Sequence, residues 1–229
     1  MQIHGFQKLT LLDFPQKTAC TLFLAGCDFR CSFCHNSGLV LGDLPPETND
    51  EEVLRFLKKR RGLLDGVAVT GGEPLLSPAL PELLRKIRDL GFAVKLDTNG
   101  NHPERLREMI EKGLVQYVAM DVKNAPEKYG TTVGIPDLDI ARVDESIRML
   151  LHGTVEYEFR TTAVRELHDE DSFRAIGAWL RGAARYYIQC FTDRDTVMSP
   201  GLHAPSNAEL QRFLDAVKPF IPSAALRGV

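Results

Sequence analysis

"ACTLFLAGCDFRCSFCHN", Ala19 to Asn36, joins an apolar run to a loop carrying three cysteines. Ala19 to Ala25 reads as a buried strand of the kind found in parallel sheets. The loop behind it sets Cys27, Cys31 and Cys34 within eight residues of a chain that has only five cysteines. Three thiols at that density suggest one site, placed where a strand ends.

Outward from this stretch the pattern alternates. "PPETNDEEVLRFLKKRRG" reads as a helix, with Thr48 and Glu51 at capping-box spacing. "GVAVT" (Gly66 to Thr70) is a strand, and "SPALPELLRKIRDLG" a helix with Ser77 as N-cap, Pro78 first and Gly91 as its stop. "FAVKLDT", "QYVAMDV", "TVEYEFRTTAV" and "YYIQCF" continue the strands. Between and after them come "PERLREMIEKG", "DIARVDESIRMLLHG", a helix around Trp179 and a last helix capped by Ser206 with Glu209. Six strand–helix units in alternation predict an α/β fold with parallel strands. A closed eight-unit barrel takes about 250 residues, so six units predict a partial (β/α)6 TIM-like barrel, with 1–229 as a single domain. Chemistry on such sheets gathers at the C-terminal strand ends, which here carry the Cys loop, "GGEP", "DTNG", "DVK", "RTT" and "QCF".

Composition sets outer bounds. An apolar fraction of 44% and a charged fraction of 26% suit a globular core, and a net charge of −3 gives no electrostatic case for nucleic acid. "KKRR" (Lys58 to Arg61) complements a helix C-terminus. No apolar run reaches about 18 residues, so no membrane span is expected. "LFLAGC" looks like a lipid-attachment box, but Asp13, Pro15 and Lys17 interrupt the apolar region such a signal needs, and Cys31 and Cys34 would have no role. The expected compartment is the reducing cytoplasm, where clustered thiols mean metal or catalysis.

Several groups use three thiols. Zinc could take His35 as a fourth ligand, although adjacent residues rarely share a tetrahedral ion. "CSFCH" fits covalent haem attachment, which has no use for Cys27, and a chance cluster of packing cysteines is a further reading. A [4Fe-4S] cubane held by three thiolates keeps one iron open to a small chelating molecule.

C-x3-C-x2-C with Phe33 before the last cysteine, followed by "GGEP" at the next strand end, resembles the radical S-adenosylmethionine enzymes. The opening through "CHN", with "LDTNG", "MDVK" and "RTT", is similar to the glycyl-radical-enzyme activases, especially those of anaerobic ribonucleoside-triphosphate reductase. The resemblance implies that Cys27, Cys31 and Cys34 ligate the cluster. Bound there, S-adenosylmethionine is cleaved reductively to methionine and a 5′-deoxyadenosyl radical, which takes hydrogen from C–H bonds. It further implies cofactor contacts at Phe33, Gly71, Gly72, Glu73, Asp97, Asn99, Lys123, Arg160 and Gln189, with Asn36 ordering the loop. Asp97 and Asp121 are expected at a monovalent-cation site. Some of these contacts have a plainer reading: Phe33 as the loop's own filling, the glycines as a tight turn, Asn99 as part of an Asn-Gly turn that leaves Asp97 unexplained, and Arg160 in a surface ion pair. Cys20 and Cys190 read as core.

Fold and motif do not name the substrate. The short segment between Asn36 and the first helix has no room for a Cys-rich insert, so one cluster is expected. The lack of any addition after the sixth unit suits a protein loop as substrate. The expected partner is a glycyl radical enzyme, first an anaerobic ribonucleoside-triphosphate reductase and next a formate-lyase type, with a low-potential donor such as flavodoxin or ferredoxin. A deazapurine synthase and an iron–sulfur electron carrier are the alternatives. The loop from Asn124 to Asp139, with Tyr129, is a candidate docking segment.

Overall fold

The apolar run at Ala19 becomes a strand with almost nothing exposed. In a computed structural model describing residues 1–228, Ala19, Cys20, Thr21, Leu22 and Leu24 are each at most 3% exposed. The chain divides into two compact units. One comprises Met1–Asp28, Gly38–Thr98 and Glu104–Val118; the other comprises Phe29–Ser37, Asn99–Pro103 and the chain from Ala119 onward.

The first unit is built on β1 (Gln2–Ile3), β2 (Gly5–Thr10), β3 (Ala19–Leu24), a short α1 (Ser37–Leu41), β4 (Thr48–Asn49), α2 (Asp50–Lys59), β5 (Gly66–Gly71), α3 (Leu80–Asp89), β6 (Ala93–Thr98) and α4 (Pro103–Glu111). β3 and β5 run parallel from Ala19↔Gly66 to Leu24↔Gly71, and β5 and β6 from Gly66↔Ala93 to Val69↔Leu96. Parallel neighbours need crossovers, and α2 and α3 supply them, burying Val53 and Leu57, and Leu80, Leu83, Leu84 and Ile87. β2, which sequence periodicity did not reveal, pairs antiparallel with β3.

Two helix starts fall later than expected. Thr48 is drawn into β4, which pairs with β1, so Asn49 becomes the cap and its side chain accepts from Glu52 N at 3.1 Å. After β5, Glu73 caps a 3-10 turn at Pro74–Leu76, which postpones α3 to Leu80. Gly91 ends that helix as expected, with φ of 94°.

The second unit takes in the end of β7 (Tyr117–Asp121) from Ala119 and continues through α5 (Pro126–Thr132), α6 (Ile140–His152), β8 (Glu156–Ala163), α7 (Glu170–Trp179), β9 (Tyr186–Cys190), α8 (Asn207–Val217) and β10 (Ala225–Arg227). β8 and β9 are parallel, and β10, also unforeseen, adds parallel to β9. Phe173 of α7 and Phe213 of α8 stack at 4.5 Å. The capping box expected at Ser206 and Glu209 is present in full. Cys20 is core as expected, whereas Cys190 is only half-buried because it stands at the end of its strand.

β10 is fastened by charge as well as by its ladder. Arg227 donates to both oxygens of Glu158, at 2.7 and 2.9 Å, and its guanidinium lies 3.5 Å over the Tyr187 ring. Glu158 is 1% exposed. Arg227→Met should therefore lose about 3 kcal/mol of stability in urea unfolding, well beyond a surface pair.

Candidate cofactor site

The stem of the Cys loop is held by the turn after β5. Gly72 N donates to Leu24 O and Glu73 N to Gly26 O, both at 2.8 Å, while Gly26 N donates to Leu39 O at 2.9 Å. A Cβ on Gly71 would lie 2.2 Å from Leu24 O, and one on Gly72 would lie 2.0 Å from Gly26 O. Gly71 also adopts φ of 120°. The glycines thus have a reason internal to the chain: their backbone must touch the stem from which Cys27 projects.

Glu73 is 1% exposed, and its Oε1 accepts from Leu75 N and Thr98 Oγ1, each at 3.0 Å. Its carboxylate is a bridge between the β5 turn and the end of β6. One residue before Thr98, Asp97 is ion-paired with Lys95, a lysine only 1% exposed that the motif reading passed over. Residues two apart on a strand share a face, so "KLD" placed this pair in plain view.

Asn99 is buried, and its Oδ1 accepts from Asn101 N at 2.9 Å, the local turn that Asn-Gly sequences favour. Gly100 follows with φ of 78°, and Ser146 Oγ donates to its carbonyl at 2.7 Å.

In the second unit the Cys loop is laced at several points. Cys34 N donates to Cys31 O at 3.1 Å, so these two cysteines share one turn. Arg30 N donates to Val133 O at 2.8 Å, and a Cβ on Gly134 (φ 74°) would meet Arg30 O at 2.7 Å. The segment after β9 adds Met198 N to Cys34 O at 3.1 Å, Ser199 N to Ser32 O at 2.9 Å and Ser37 Oγ to Thr196 O at 2.7 Å. His35 Nε2 lies 2.6 Å from Thr192 O, with its ring stacked on Phe191. Phe33 is buried at 4% exposure, as filling for the loop requires.

Behind the loop stands a charged group. Arg160 Nε donates to Asp121 Oδ1 at 2.8 Å and Lys123 Nζ to Asp121 Oδ2 at 2.9 Å. Burial alone would raise the Asp121 carboxyl, but Arg160 and Lys123 overcome it and hold the group well below the usual carboxylate range. Burial likewise opposes the Lys123 ammonium, and Asp121, then Cys31, hold it above the ordinary lysine value. Burial pushes the Cys31 thiol up to about 11, with Lys123 pulling the other way. His168 Nδ1 accepts from Val164 N at 3.1 Å, which leaves its Nε2 to donate to Lys123 O at 2.9 Å.

The Asn124–Asp139 segment, a docking candidate or a plain connecting loop by sequence, is not an open loop. It holds α5, and Tyr129 is fully buried, edge-on to Phe29 and Trp179. Asn124, also fully buried, donates to Thr132 Oγ1 and Leu167 O. Its work is to back the Cys loop. Gln189 is half-buried in β9, opposite Thr162 and Arg227 in register.

The donor set fits an iron–sulfur cluster. Three thiols lie on one loop fixed by main-chain bonds, and a metal would displace the proton that burial favours on Cys31. A cubane asks each of three thiolates to meet its own iron. Among the described residues no helix is long and apolar enough to cross a membrane.

Residues 21–173 match the radical SAM superfamily. A Methanocaldococcus jannaschii protein, provisionally named a glycyl-radical enzyme activating enzyme, is 31% identical over 99% of this chain and 96% of its own. A pyruvate formate-lyase-activating enzyme of Clostridium pasteurianum is 29% identical over 55% of this chain and 54% of its own. A 7-carboxy-7-deazaguanine synthase of Thermococcus kodakarensis is 29% identical over 72% and 71%. Of solved structures, Streptococcus suis SuiB bound to S-adenosylmethionine aligns with a TM-score of 0.68 at 14% identity, covering 91% of this chain and 52% of that one. Native anSMEcpe with bound AdoMet gives 0.62 at 14%, covering 86% and 58%. These likenesses show the fold: α/β, mostly parallel and TIM-barrel-like, the class that the strand–helix alternation predicts.

The Asp121 group yields a pH test. A carboxyl whose folded pKa is depressed contributes stability above its unfolded value of about 3.9, and the contribution fades as pH falls toward the folded value. Asp121→Asn should cost the apoprotein about 2 kcal/mol at pH 7 in urea unfolding, and the gap to wild type should narrow below about pH 4.

Proposed function

From the premise that this chain belongs to the radical SAM superfamily, an enzyme family that uses a [4Fe-4S] cluster and S-adenosylmethionine, we propose that it is a glycyl-radical enzyme activase. The observation that carries this reading is the 31% identity to the named activase, which runs over almost the full length of both chains. The partner we propose is an anaerobic ribonucleoside-triphosphate reductase, with a low-potential flavodoxin or ferredoxin as donor.

In this reading Cys27, Cys31 and Cys34 hold the cluster. When bound, the pair of cofactors supplies one-electron cleavage of a C–S bond and a carbon radical able to take hydrogen from a glycine Cα. The chain's own residues do the positioning. The stem bonds from Gly72 and Glu73 to Leu24 and Gly26 set where Cys27 emerges. Lys123, held cationic by Asp121, offsets part of the burial that disfavours a thiolate at Cys31. The contacts at Val133, Thr192, Thr196, Met198 and Ser199 tie the loop to the segments around it. Asp97, Asn99, Arg160 and Gln189 remain the proposed cofactor-facing polar residues, beside Gly71 and Glu73.

A second reading has its own support: the deazaguanine synthase likeness spans nearly three-quarters of this chain. The two separate by substrate. Anaerobically reconstituted protein, once reduced, should convert S-adenosylmethionine to 5′-deoxyadenosine and methionine, and Cys31→Ala should abolish it. Mixed with the partner reductase, the wild type should raise a glycyl doublet in electron paramagnetic resonance. Turnover of a deazapurine precursor without that doublet would favour the synthase.

A further inference from the structure

The resemblance to activases implies a monovalent-cation site at Asp97 and Asp121, and the residues present do not fit that ion. Each carboxylate already carries a cation from its own unit: Lys95 on Asp97, and Lys123 with Arg160 on Asp121.

We infer that Lys95 is a tethered counter-ion that stands in for a dissociable monovalent cation, so that cofactor binding in this chain is independent of potassium and sodium. Lys95 lies in the middle of β6, where its register partner on β5 is Ala68, a side chain small enough to leave room for a long neighbour. The Lys95 side chain is 2% exposed and that of Asp97 17%, so the ammonium is sealed in while its carboxylate keeps an edge toward solvent. Burying an ammonium is costly unless a partner compensates it, and here the strand's two-residue repeat delivers the partner on the same face. Asp97 in turn precedes Thr98, whose hydroxyl bonds Glu73 of the "GGEP" turn. Lys95 is thus a positioning residue: it acts through Asp97, fixing the charge and direction of a carboxylate at the strand end.

The inference rests on the proposed role of Asp97 beside the cofactor, and two arms keep it separable from that role. In the first, S-adenosylmethionine binding to the reconstituted holoenzyme is measured at constant ionic strength in potassium, sodium or tetramethylammonium chloride. Wild type should bind alike in all three. Lys95→Ala should bind about tenfold more weakly in tetramethylammonium and regain affinity in potassium or sodium, with Lys95→Arg close to wild type. In the second arm the thermal midpoint of the apoprotein is read in the same salts. The Lys95→Ala midpoint should become potassium-dependent, and Asp97→Asn in the same background should remove that dependence. A wild type that needs potassium or sodium for cofactor binding overturns the inference. A folded Lys95→Ala variant indifferent to cation identity in both arms also overturns it. If Lys95→Ala does not fold, Lys95→Gln takes its place, and the wild-type arm still decides. A wild type that binds no S-adenosylmethionine in any salt defeats the proposed function, while the melting arm continues to test the lysine.

Discussion

The backbone of Gly72 approaches the carbonyl of Gly26 so closely that a single methyl group at position 72 would collide with it. That approach lets Glu73 N and Gly72 N donate into the stem that launches the Cys loop. The position of Cys27, at the end of that stem, follows from those bonds. A stem free to swing would leave Cys27 with no defined position, however well the rest of the loop were tied. The sequence pair "GG" is therefore read most directly as a backbone–backbone clamp, and any approach of a small molecule to the same turn is an additional use of the same bare surface.

Charge compensation follows one design in both units. "KLD" on β6 and "DVK" leaving β7 each set a lysine and an aspartate two residues apart, where a strand points them the same way. Arg160 adds a second cation to Asp121. At the second pair the Asp121 carboxyl is held ionised and the Lys123 ammonium protonated despite burial, because each partner offsets the desolvation of the other. The Lys123 ammonium in turn faces Cys31, so an ion pair built on one strand end bears on the chemistry of a thiol in a different segment.

Much of this was legible along the chain. The six strands at Ala19, Gly66, Ala93, Tyr117, Glu156 and Tyr186 form where apolar runs without helical spacing predict them. Gly91 and the Ser206–Glu209 box mark helix ends correctly because their effects are confined to one turn. Thr48 fails as a cap for the opposite reason: its pairing partner, Ile3, lies far away in sequence. Tyr129 misleads in the same manner. A tyrosine among glycines and polar residues reads as a surface loop, yet Phe29 and Trp179 close over it. β2 and β10 carry weak periodicity and are strands because β3 and β9 offer them edges.

What the sequence determined by itself was the chemistry on offer and its address: three thiols after the first buried strand, glycines after the next, and acid–base pairs after two more. Such features need only the chain's local period and the donor types it carries. Only the tertiary structure decided what those groups spend their charge and hydrogen bonds on. Arg160, in a strand of mostly buried residues, has no evident partner until Asp121, on another strand, is seen beside it. Burial makes an unpaired charge intolerable, and the identity of the partner is a fact of folding rather than of spacing.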